Sequence, residues 1–127
     1  MDQVIEDIAE GFDRFRTDSD DLETMLLAWA YASGTYERVA EGLRSRSPDD
    51  VPERVADGVA DALTKAAAAL MAAAQCGAEA LETAAGPAAC DDAFSDATEA
   101  HRMVAVRLEP LIEYGSRPFP EVLASFS

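Results

Sequence analysis

Histidine occurs once in this chain, lysine once and tryptophan once, and cysteine only twice. Each scarcity removes a class of protein. Two cysteines, Cys76 and Cys90, are too few for a disulfide scaffold. A single histidine, His101, rules out the paired Glu-x-x-His motifs of a carboxylate-bridged dinuclear bundle. There is no Gly-rich phosphate loop, no Cys-x-x-Cys and no workable Ser-His-Asp order. The longest uncharged run, Ala66 to Ala78, is 13 residues, short of the roughly 18 needed to span a membrane. The first 17 residues lack a basic start followed by an apolar run, so no signal peptide is expected and the expected location is cytoplasmic.

Cationic side chains are also sparse. Lys and Arg total 10 against 25 Asp and Glu, for a net charge of −15. Such a surface repels phosphate backbones and anionic lipids, which excludes nucleic acid and membrane as partners. Basic protein surfaces remain. The arginine-rich, lysine-poor, acid-heavy balance also matches adaptation to salt, where carboxylates keep a surface hydrated.

What the chain has in plenty is alanine and helical periodicity. Hydrophobic residues make up 49% of 127 positions, enough for one core and one domain. The pattern predicts an all-α, antiparallel four-helix bundle with a long Ala-rich third helix and a short C-terminal tail. In a first helix over about 2–16, Val4, Ile5, Ile8, Phe12 and Phe15 share a face. A second helix over about 21–44, capped by Asp20, aligns Leu22, Met25, Trp29, Ala32, Tyr36, Val39 and Leu43, with Leu26 and Leu27 widening the apolar face. Ser33-Gly34 marks a kink or a close crossing. A third helix over about 51–85 opens on Pro52 and Glu53 and stops at Gly86-Pro87. Val59, Leu63, Leu70, Gly77 and Leu81 lie along its stripe, and a slight bend is expected near Gln75-Cys76-Gly77. A fourth helix over about 89–114 aligns Phe94, Ala97, His101, Val104, Leu108, Leu111 and Ile112, with a kink at Pro110. The tail 115–127 holds Phe119 and Phe126.

Candidate chemistry is thin. His101 lies on an inward stripe, where a lone histidine is more often a hydrogen-bonded core residue than a catalyst. Asp92, Asp96 and Glu99 share one helical face, as do Asp57 with Asp61 and Glu37 with Glu41, but such pairs arise by chance among so many acids. No cofactor is expected. A tight turn between the third and fourth helices would set Cys90 opposite Ala84 and leave Cys76 about 12 Å away, too far for a disulfide, so two free thiols are expected.

The leading functional reading is therefore a non-enzymatic helical bundle acting through protein–protein interaction, as adaptor, partner subunit or regulator. Its candidate contacts are Ala67, Leu70, Met71 and Ala74 on the Ala-rich helix, apolar on every side, and Phe119 and Phe126 in the tail. Self-association as a homodimer is slightly favoured over monomer-internal burial of that helix. One alternative is an acidic decoy that mimics nucleic acid and occupies a basic protein surface. Another is small-molecule binding or catalysis in an inter-helix pocket near His101, Trp29 and Tyr36.

Overall fold

A computed structural model describes residues 2–17, 19–45, 51–83 and 87–114. The tail expected over 115–127, with Phe119 and Phe126, lies outside these residues, as does the side chain of Ile112. Four α-helices pack against one another in chain order, α1 (Asp2–Phe15), α2 (Leu22–Ser45), α3 (Glu53–Thr83) and α4 (Asp91–Tyr114), and the described residues contain no strand. A 3₁₀ turn, Pro87–Cys90, leads into α4. The chain is an all-α four-helix bundle.

The helix starts have local causes. The Asp21 carboxylate accepts from the backbone N–H of Glu23 at 3.2 Å and from the Thr24 hydroxyl at 2.8 Å. Asp21, not Asp20, therefore caps α2, because Thr24 stands three residues on and completes the cap. At α3 the Pro52 carbonyl accepts from the N–H groups of Val55 and Ala56. Pro52 thus sits just before the first turn rather than inside it. The Trp29 indole N–H donates to the Phe15 carbonyl at 3.1 Å, satisfying an acceptor that the end of α1 leaves open.

The most extensive helix contact is between α2 and α3, followed by α3 with α4 and α1 with α2. The core runs through Ile5, Ile8, Phe12, Tyr36, Leu43, Leu63, Leu70, Leu108 and Leu111. Two glycines set the closest approaches. A Cβ on Gly11 would lie 2.2 Å from the buried Tyr36 ring, and one on Gly77 would lie 2.5 Å from Leu26 Cδ2. The close crossing expected at Ser33-Gly34 belongs to Ser33, whose hydroxyl donates to the Ala67 carbonyl across the α2–α3 contact at 2.7 Å. Gly34 itself faces open space. α4 continues through Pro110 as helix.

The lengths are unequal. On 1.5 Å per residue, 31-residue α3 extends about 46 Å and 14-residue α1 about 21 Å. Because Phe15 stacks on Trp29, the first two turns of α2 run past the end of α1, and that end of the bundle is built mainly from three helices.

The two cysteines are joined there, contrary to the expectation of free thiols. Cys76 and Cys90 form a disulfide with Cα atoms 5.9 Å apart. Helix α3 is described only as far as Thr83, and α4 starts at Asp91 rather than near Ala89. The 3₁₀ turn that precedes α4 packs back along α3, which lowers Cys90 to the level of Cys76. A tight helix-to-helix turn forbids that descent.

Candidate functional site

The aromatic centre of the bundle gathers residues from every helix except α3. His101 has no solvent exposure, and its Nε2 lies 3.1 Å from the Tyr36 hydroxyl. Phe15 stacks on the imidazole at 4.0 Å between ring centres, and Phe12 meets it edge-on at 4.7 Å. Trp29 stands between Phe15 and Phe94. The arrangement uses ring edges against ring faces and excludes water.

Burial fixes the protonation of this pair. Desolvation pushes the His101 pKa down to about 3. Desolvation, aided by the nearby charge of Asp13, holds the Tyr36 phenol well above its usual range. At neutral pH the ring is uncharged and the phenol keeps its proton, so Tyr36 donates and Nε2 accepts. Neither group exchanges a proton near pH 7, which is what a general acid or base must do. The three cavities described, of about 410, 540 and 300 Å³, do not include His101, Trp29 or Tyr36 in their linings. The histidine reads as a buried core residue, held at Nε2 by Tyr36 and packed among the aromatic rings.

The carboxylates on α4 are not drawn together. Asp92, Asp96 and Glu99 are all exposed, and Glu99 pairs with Arg102 at 2.9 Å. Asp61 is engaged by Arg44, which also donates to Thr64. No group of three or more His, Cys, Asp or Glu side chains among the described residues could hold a metal ion.

The remaining feature is the outer side of the α2–α3 contact. Of the interaction residues expected on the Ala-rich helix, Ala67, Leu70 and Ala74 are buried within the chain, and Met71 is 38% exposed. In the run 66–74, the helix turns one face inward and leaves Ala68, Met71 and Ala72 outside. Leu27 and Leu81, expected on inward stripes, also face out, at 58% and 49%. Leu27 follows the buried Leu26 by one residue, about 100° around the helix, so only one of them can face α3.

Leu27, Met71 and Leu81 converge on a depression of about 540 Å³, floored by Leu26, Ala74 and Ala78. A second depression of about 300 Å³, between Ser33 and Ala68, shares Met71 with it. Together they form a continuous apolar seam, from Leu81 to Thr64 along α3 and from Glu23 to Glu37 along α2. Small side chains keep its floor low, and Gly77 makes that possible by letting Leu26 lie flat against α3. The charged residues that line it are Glu23, Glu37 and Glu82. Sequence periodicity located the Ala-rich helix but missed Leu27 and Leu81. For Leu27 the signal was available, since the adjacent Leu26 already takes the place facing α3; for Leu81, beside Ala80 and Glu82, spacing alone gave none.

Comparison with protein-family models, with curated proteins and with solved structures found no match.

Proposed function

We propose that this protein is a non-enzymatic helical-bundle module that acts through protein–protein interaction, as an adaptor, partner subunit or regulator. The observation that supports it is the α2–α3 seam, where Leu27, Met71 and Leu81 expose apolar surface side by side. Scattered exposed hydrophobes are ordinary, but contiguous ones lining a groove mark contact surfaces. The packed aromatic centre and the dispersed carboxylates leave little room for catalysis.

Among partners, another protein draws more support than a second copy, because two chains of charge −15 meet against mutual repulsion. The decoy reading draws less. Exposed carboxylates stand on all four helices rather than on one ridge, a distribution that suits general hydration. A disulfide is a bond of oxidising surroundings, so Cys76–Cys90 favours a setting outside the reducing cytoplasm. Among the described residues, no helix is long and apolar enough to cross a membrane.

Photo-crosslinking inside the producing cell tests the reading. A photoreactive residue at position 27, 71 or 81 is expected to trap one discrete partner, and the same residue at position 41 or 102 is not. If no exposed position traps a protein, the interaction role fails.

A further inference from the structure

The seam has a length, a relief and a sign of charge, and together these specify an occupant. We propose that it receives a short amphipathic helix of a partner protein, with an apolar stripe flanked by lysine or arginine. This rests on the docking role proposed above. From Thr64 to Glu82 the α3 wall rises 18 steps, about 27 Å, the length of an 18-residue helix. The bundle presents no strand edge among its described residues, so an extended peptide has no backbone ladder to join and helix-in-groove docking is the mode that fits.

Relief and chemistry agree with a helix. Ala68, Ala74 and Ala78 keep the trough shallow, so a second backbone can approach closely, while Leu27 and Leu81 stand as walls. Met71 lies where the two depressions meet, and its flexible thioether adapts to varied side chains. The charge sets the flanks. Glu23 and Glu82 stand at one end and Glu37 towards the other; among the described residues no lysine or arginine is in the lining, and Arg44, which donates to Thr64 at the far end, is already paired with Asp61. An acidic or neutral helix leaves these carboxylates without counter-charge, and a second copy of this chain opposes them with more carboxylates. Basic flanks complement them.

The test uses the full chain and three dye-labelled 18-residue peptides, read by fluorescence anisotropy at 50 and 500 mM NaCl. One has a leucine stripe at three-four spacing with lysine flanks, one the same stripe with glutamate flanks, and one the lysine peptide's composition with the stripe scrambled. The lysine-flanked stripe is expected to bind, and Leu27→Glu/Met71→Glu to weaken it about tenfold or more. Glu23→Gln/Glu37→Gln/Glu82→Gln is expected to weaken it roughly fivefold to tenfold and to flatten its salt dependence. Asp91→Asn/Asp92→Asn/Asp96→Asn, outside the seam, is expected to stay within about twofold. Circular dichroism checks that each variant remains helical. Equal binding of the scrambled peptide, or equal loss in the α4 variant, would reduce the effect to bulk charge and overturn the proposal. Equal binding of the glutamate-flanked stripe overturns the basic occupant and leaves the docking role standing. Absence of binding by any peptide, or no effect of Leu27→Glu/Met71→Glu, removes the docking role itself. A concentration-dependent dimer in light scattering, dissociated by Leu27→Glu/Met71→Glu, makes a second copy the occupant instead.

Discussion

His101 and Gly11 show what single side chains contribute to this bundle. The native imidazole is held neutral with its pKa near 3, whereas in the unfolded chain it titrates near 6.5. Below pH 6.5 the unfolded state binds the extra proton, so this residue's contribution to stability is fully present above that pH and falls as pH drops towards 3. Its slope is at most about 1.4 kcal/mol per pH unit. In urea unfolding at pH 7, 5.5 and 4, the parent is expected to lose stability relative to His101→Gln, approaching that slope between pH 5.5 and 4 and less steeply above, whatever the carboxylates do in both. Parallel pH profiles would show that the imidazole is hydrated or already charged. Gly11 acts by its missing side chain. Because a Cβ there lies 2.2 Å from the Tyr36 ring, and the ring is fully buried against Phe12 and His101, Gly11→Ala is expected to cost about 1–3 kcal/mol. A shift in urea midpoint at unchanged slope measures it. Of these two residues only His101 was legible beforehand, since a lone histidine on an apolar stripe announces itself. Gly11 falls on the apolar face of α1, three residues after Ile8 and four before Phe15, but has no side chain to mark it, and its role depends on where Tyr36 projects from another helix, which one-dimensional spacing does not contain.

At the scale of elements, periodicity located all four helices, and capping chemistry placed their ends to within a few residues. The errors fell at the connectors. Asp20 and Asp21 are equivalent by composition, and only the Thr24 hydroxyl decides between them. The disulfide was misjudged for the same kind of reason, because a 3₁₀ turn folding back along α3 moves Cys90 down by a distance that helical rise alone cannot supply. Its position has a physical use. It ties α3 to the start of α4 at the end of the bundle that α1 does not reach. With the cysteines 14 apart in sequence, the bridge closes a short loop, and its removal as Cys76→Ser/Cys90→Ser is expected to cost about 3 kcal/mol. Hydrogen exchange on the double variant is expected to rise most in the last turns of α3 and the first turns of α4, and to change least near Leu63 and Leu108. Uniform acceleration would mean that the bundle opens as one unit and the bridge has no local role.

The whole molecule combines a continuous core with an unusually acidic exterior and, among the described residues, one apolar face left open. Among the described residues two ion pairs join helical side chains, Arg44–Asp61 and Arg102–Glu99, and both are exposed, so they offset little of the self-repulsion of a −15 chain. Screening that repulsion is expected to raise the melting temperature progressively between 0.05 and 1 M NaCl, a trend that differential scanning calorimetry reads directly. A falling or flat profile would remove repulsion as a governing term. The acidity and the bundle were plain in composition and pattern. The seam was not, because it arises where two stripes wide enough for three neighbours meet only two. Its openness is the claim on which the functional account depends. The most direct test is urea unfolding of Leu27→Glu/Leu81→Glu in the full chain with the disulfide intact. If both side chains face water, the variant is expected to unfold within about 1 kcal/mol of the parent. A loss of about 3 kcal/mol or more would mean that this face is already covered by the chain itself, and that no docking seam exists.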